Sequence, residues 1–174
     1  KSDKSDSFSI AKFGQEKNPS PWKPHEREVY ELRQLLTLDT KLQQMKVQFT
    51  NMVEAFVQTD YHSKEAIDHA NMMAKVLKER RAKCKRAMEK LADKLFPEDV
   101  EILSSIPGVG TASAVEVMAN VGDFHRFQSS RHLVSFCGLS PSIKQSGTSI
   151  RSNGHITRMG GDRIRKTLYM CAMN

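Results

Sequence analysis

The chain lacks the features of a membrane-spanning, disulfide-stapled or zinc-binding protein. No stretch approaches the roughly 18 apolar residues that a bilayer-spanning helix needs, and no leader of a charged segment followed by an apolar one opens it. Cysteine is limited to Cys84, Cys137 and Cys171. An odd, widely spaced set without a CxxC pair suits neither a disulfide framework nor a zinc site, so a reducing cytoplasm is the expected compartment. Aromatic residues make up only 7 % of the chain, and methionine fills apolar positions instead. Acidic residues are almost missing from positions 124–174. That stretch holds eight of the 27 Lys and Arg but only Asp162 of the 20 acids, leaving 19 of each sign in residues 1–123. The whole net charge of +7 therefore belongs to the C-terminal third. A solubilising surface intersperses both signs, whereas concentrated positive charge attracts a polyanion and releases its counterions.

What is present reads as helix. The 174 residues allow one or two domains with a real core, and 39 % apolar with 27 % charged residues is ordinary for a globular chain. Residues 1–17 are polar and basic, with Asp3 and Asp6 three apart ahead of Phe8, Ile10, Ala11 and Phe13. The three prolines of residues 18–24 cannot continue a helix, and they predict a stiff, extended linker. Leu35, Leu38, Leu42, Met45, Phe49, Met52 and Phe56 then repeat at 3-4 spacing, as do Ile67, Ala70, Ala74, Leu77, Cys84, Met88, Leu91 and Leu95, with Arg81 interrupting the second stripe. Such stripes predict two helices of about 30 residues, each roughly 45 Å long. Residues 59–63 can turn the chain between them, with Ser63 as N-cap. The expected result over 25–96 is an antiparallel helical hairpin, a coiled coil that closes on itself or pairs with a second copy. Its methionine-rich seam is soft enough to seek a partner.

Phe96-Pro97 ends the second long helix, and Pro97 suits the first turn of the next. Residues 98–122 read as two short helices around a tight turn at Pro107-Gly108-Val109-Gly110. A further helix covers 129–138, residues 140–162 form loop or short strands, and a basic amphipathic helix starts near Asp162. The turn followed by Thr111 matches a helix-hairpin-helix pattern. Glycines there free N–H groups at the start of the second helix, and these together with the helix dipole suit a phosphate. A plain turn between helices, with glycine chosen for geometry, is the other reading. The serine- and glycine-rich stretch of residues 140–162 is ringed by Lys144, Arg151, Arg158, Arg163, Arg165 and Lys166. It suits a phosphate-binding loop, or a serine that attacks a phosphodiester while guanidinium groups hold the non-bridging oxygens. No obvious base stands beside the serine; His132 and His155 could serve, though a lone histidine is more often structural.

The run from IPGVG through FCGLSPSIKQSG to GHITRMGGDRIRKTLY resembles the C-terminal domain of the DEDD insertion-sequence transposases, the family of the Piv DNA invertases and the bridge-RNA-guided recombinases. The opening KSDKSDSFSIAKF resembles the end of that family's RNase H-like domain. The resemblance implies four parts: the tail of a truncated RNase H-like DEDD domain at 1–17, a proline-rich linker at 18–24, the coiled-coil hairpin at 25–96, and a C-terminal transposase domain at 97–174. It implies that Asp3 and Asp6 are the last two acids of a Mg²⁺ site. It makes Ser146 the nucleophile, with Ser142, Ser149 and Ser152 as neighbouring alternatives. DNA would then be held by Gly108, Gly110, Thr111, Lys144, Arg151, Arg158, Arg163, Arg165 and Lys166. The first Asp and the Glu of the acidic set are not in this chain, which opens on Lys1 and stops within a helical pattern, and so it reads as a fragment.

The fold class expected is mainly α, and the function expected is DNA transposition or recombination in the intact protein, with this piece alone inactive. DNA is the expected partner, with a guide RNA and a second copy of the chain as further partners implied. Two other readings stay open: a non-catalytic DNA-binding module with a dimerising arm, and a protein-interaction scaffold without DNA affinity.

Overall fold

A computed structural model describes residues 3–174 except 20, 22, 23, 25, 142–144, 147–149, 152–154 and 158, with the backbone alone at 145, 146, 150 and 151. The described residues are mainly helical: α1 (Asp3–Lys17), α2 (Arg27–Val57), α3 (Lys64–Leu95), α4 (Pro97–Ser104), α5 (Thr111–Val121), α6 (Ser130–Phe136) and α7 (Asp162–Ala172). Two short strands, β1 (Gln145–Ser146) and β2 (Ile150–Arg151), lie between α6 and α7.

Neither glycine nor proline interrupts residues 27–95, so nothing breaks the two long helices before their ends. Ser63 caps α3, its hydroxyl accepting from the Ala66 amide at 3.3 Å. Pro97 occupies the first turn of α4, where its missing N–H costs no helical bond. The long helices run antiparallel: Arg81 meets Asp39, Cys84 donates to the Leu35 carbonyl, and Lys94 meets Glu28. The apolar stripe of α3 faces inward as its spacing predicts, every one of its apolar members being buried or half-buried.

The stripe expected on α2 is turned. Leu38, Met45, Met52 and Phe56 are exposed, by 37 to 49 %, while the buried side chains of α2 are Val29, Leu32, Leu36 and Asp39. Two partners set this rotation. Leu32 and Leu36 pack with Val115, Met118 and Ala119 of α5 in one core. Asp39 takes the Arg81 guanidinium in two bonds of 3.0 and 3.1 Å, with Gln43 accepting a third. Arg81, which interrupts the stripe in sequence, therefore has a buried acid waiting for it.

The core joins the root of the long helices to the shorter helices beyond residue 96. Cys84, Met88 and Ala92 of α3 share one buried cluster with Val100 of α4 and Ala114 of α5, and apolar packing runs uninterrupted across residue 96. A second cluster, of Val117, Val121, Cys137 and Ile164, seats α7 and the end of α6 on the other side of α5. Helix α5 is the element both clusters share. Helix α1, by contrast, has no buried residue, and Phe8, Ile10 and Phe13 stand exposed on it.

Candidate nucleic-acid interface

The turn between α4 and α5 depends on two residues. Pro107 presets its own φ, and Gly108 takes φ +85°, so the Val109 amide reaches the Ile106 carbonyl at 3.0 Å. Proline then glycine at these positions is the pattern of a type II turn. Gly108 is needed twice over, because a Cβ there would also overlap the Cys171 carbonyl at the end of α7. Gly110 precedes the first residue of α5 with no side-chain cap, and nothing lies within 4 Å of where its Cβ would be. Gly110 and Thr111 are both exposed. The first amides of a helix have no partner within it, so the start of α5 offers donors to an outside acceptor.

Helix α7 brings three of the expected DNA contacts into view, and two of them have work inside the fold. Arg163 donates to the Leu36 carbonyl of α2 at 2.8 Å and to Glu116 of α5 at 3.1 Å. The second Glu116 oxygen accepts from the Thr167 hydroxyl at 2.8 Å. Glu116 and Arg163 thus tie α7 to both α5 and α2. Arg165 donates to the Gly160 carbonyl at 2.6 Å and to the Cys137 carbonyl at 3.3 Å. Lys166 is exposed and pairs with Asp162 at 2.7 Å, a surface contact that water and salt weaken.

The segment carrying the serines leaves and returns at one point. Gly138, at φ +69°, packs against Gly160, and the Arg165 guanidinium bridges the carbonyls on the two sides of that contact. Above it the Thr157 amide donates to the Ser140 carbonyl at 2.9 Å and Pro141 bridges to Ile156. The strands pair antiparallel, Gln145 with Arg151 and Ser146 with Ile150. Ser146 is therefore on the strand next to the hairpin's tip. Lys144, Arg158 and the alternative serines 142, 149 and 152 lie outside the described residues. His132 lines a hollow beside the hairpin's base together with Phe127, Phe136 and Met159; His155 is exposed.

Several residues that sequence reading passes over belong to this surface. Arg33 of α2 donates to the Ala119 carbonyl at 3.0 Å and to that of Asn120 at 3.4 Å, placing a cation at the C-terminal end of α5, where the helix dipole favours one. Arg126 stands over the rings of Phe127 and Phe136, 4.7 and 4.5 Å from their centroids. Burial, and then the like charge of Arg33, push its guanidinium below the ordinary range, with Asp123 opposing. Arg33 and Glu116 have partners far away in sequence, so no local pattern marks them.

Asp3 and Asp6 sit in the first turn of α1, exposed. Two carboxylates three residues apart share a helix face and suit part of the oxygen shell of a hard cation. Among the described residues, no group of three potential metal ligands gathers anywhere.

Comparison with known proteins finds likeness over the residues that carry this surface. Residues 100–174 match the transposase family described as IS116/IS110/IS902. The chain is 26 % identical over 184 aligned residues to the pilin gene-inverting protein of Moraxella bovis, an alignment covering 99 % of this chain and 52 % of that protein. It is 50 % identical over 71 residues to the transposase for insertion sequence element IS1111A of Coxiella burnetii, covering 41 % of this chain and 19 % of that one. An IS110 insertion-element protein of Streptomyces coelicolor is 38 % identical over 71 residues, covering 41 % of this chain and 17 % of its own length. The chain spans about half the length of the pilin gene-inverting protein it matches.

Proposed function

We propose that this chain is the DNA-handling part of a transposase or DNA invertase, and that in the intact protein Ser146 joins covalently to a DNA strand during cutting and rejoining. The observation that carries the reading is the family match over 100–174, the residues that contain the glycine turn, the serine hairpin and α7. The start of α5 would take a backbone phosphate on the amides after Gly108 and Gly110, with Thr111 beside them, and such contact does not read sequence. Lys144, Arg151, Arg158 and Lys166 would neutralise neighbouring phosphates. Arg163 and Arg165, which hold the fold together, would contribute charge at a distance more than direct bonds.

In the reaction, the Ser146 hydroxyl oxygen bonds to phosphorus as the bond to the leaving strand's oxygen breaks, and that oxygen leaves with a proton. The covalent link conserves the phosphodiester energy for the reverse step onto a new strand. Asp3 and Asp6, joined by two acids of an upstream RNase H-like domain, would hold Mg²⁺, which supplies a Lewis acid when bound. With half of that set, this chain by itself is expected to bind DNA without cutting it. The exposed apolar residues of α2, including Leu38, Met45 and Met52, favour pairing of the long helices with a second copy.

The test is covalent capture. Full-length protein incubated with labelled DNA should yield a protein–DNA adduct resistant to denaturant, and mass spectrometry should place it on Ser146. A Ser146→Ala protein that still excises DNA and still forms the adduct would overturn the assignment and leave a non-catalytic DNA-binding module as the better account.

A further inference from the structure

Two hollows lie on either side of Arg163 and share Thr40 and Gln44 with it, so they form one groove between α2 and the α5–α7 pair. One part, about 340 Å³, reaches Arg33 and Lys41. The other, about 410 Å³, reaches Lys85 on α3, Lys166 on α7 and the first turn of α5 at Ala112 and Ser113.

The charge in this groove is one-sided. Six cations line it (Arg33, Lys41, Arg81, Lys85, Arg163, Lys166) against Asp39 and Glu116. Both acids are consumed internally, Asp39 by Arg81 and Glu116 by Arg163 and Thr167. Arg33 donates to the carbonyls of Ala119 and Asn120 and adds its charge to the same wall. Lys41 and Lys85 have no acid within ion-pair distance among the described residues. Like charges brought together repel one another, and an anion lying among them relieves that repulsion. The remaining lining is hydroxyl, amide and aliphatic, and among the described residues no aromatic ring lines the groove. Proteins that hold unpaired bases stack them on aromatic rings, so the lining suits a sugar–phosphate backbone.

We propose that this groove carries one phosphate backbone of duplex DNA, leading from the start of α5 across the root of the long helices, with Lys41 and Lys85 as direct phosphate contacts. The long helices then form part of the DNA-binding surface, although residues 1–123 carry no net charge. The proposal rests on the DNA reading above and adds a path to it.

The salt dependence of binding tests it. Anisotropy of a labelled mixed-sequence duplex is measured with the full chain across a salt series. Each phosphate contact contributes about 0.9 to the magnitude of the log–log slope, so Lys41→Gln with Lys85→Gln should lower it by about 1.8. None of the described hydrogen bonds uses either lysine, and the fold should survive the change. A matched pair on α3 outside the groove, Lys64→Gln with Lys75→Gln, should leave the slope unchanged. Equal losses in both pairs, or none in the first, overturn the groove while the DNA reading stands. A parent chain that fails to bind the duplex even at low salt sinks both. A slope loss seen with an RNA hairpin and not with DNA makes the groove an RNA site and overturns the proposal.

Discussion

Gly138 and Gly160 are in such close contact that a Cβ on Gly138 would stand 2.6 Å from the Gly160 nitrogen, and one on Gly160 would overlap the Phe136 carbonyl. Arg165 bridges the same junction, donating to Gly160 and Cys137. The three residues close the base of the hairpin that bears Ser146. Alanine at Gly138 meets both the contact and a left-handed backbone, and should cost about 1–3 kcal/mol, read as a lowered midpoint in a thermal melt. Arg165→Gln should leave the salt slope of DNA binding unchanged while reducing formation of the serine adduct in the full-length protein. A fall of about 0.9 in the slope would instead make Arg165 a phosphate contact.

The Asp39–Arg81 pair is the strongest polar tie between the long helices, with Asp39 only 3 % exposed. Removing Asp39 leaves Arg81 without its buried acid, although the guanidinium keeps its bond to Gln43 and some contact with water. Asp39→Ala should cost about 1.5–3 kcal/mol in urea unfolding. Asp39→Leu with Arg81→Met should recover most of that loss, since neither charge then remains. Equal instability of the single and the double variant would show that the pair is not the source.

Burial pushes the thiols of Cys84 and Cys137 above their ordinary range; at Cys84 the charge of Asp39 adds to it, and at Cys137 Arg165 opposes it. A raised folded-state value means that the native protein keeps a proton the unfolded chain releases. The resulting stability is complete below the unfolded thiol's pKa, about 8.5, and is lost as pH rises from there through the folded value. Unfolding free energy should therefore fall above about pH 8.5, and less steeply in Cys84→Ser, whose hydroxyl can still donate to the Leu35 carbonyl. At lower pH both buried thiols should react with a thiol reagent far more slowly in the native chain than in urea. An identical pH profile in the Cys84→Ser variant would remove Cys84 from the account.

The surface around α7 illustrates how far local pattern reaches. Arg163, Arg165 and Lys166 lie within four residues on one basic helix, yet they have different fates: one reaches a carbonyl 127 residues away, one clasps the serine hairpin, and one stays exposed. Charge alone groups them. Only the neighbours supplied by α2, α5 and the 138–160 junction separate them. The stripe on α2 tells the same story, because the repeat beginning at Leu35 is real, while the helix buries Leu32, Leu36 and Asp39.

Local pattern accounts for the mainly helical class, the break at Pro97, the Ser63 cap, the glycine turn before Thr111, the start of α7 at Asp162, and the concentration of positive charge after residue 123. These depend on side chains within about a turn of one another and on backbone freedom at single residues. Tertiary structure alone decided which face of α2 turns inward, which arginines are spent on carbonyls and carboxylates, and that Lys41 and Lys85 join a groove with Lys166. Those outcomes belong to pairs tens to more than a hundred residues apart, and packing against α5 selects among faces that the repeat leaves nearly equivalent.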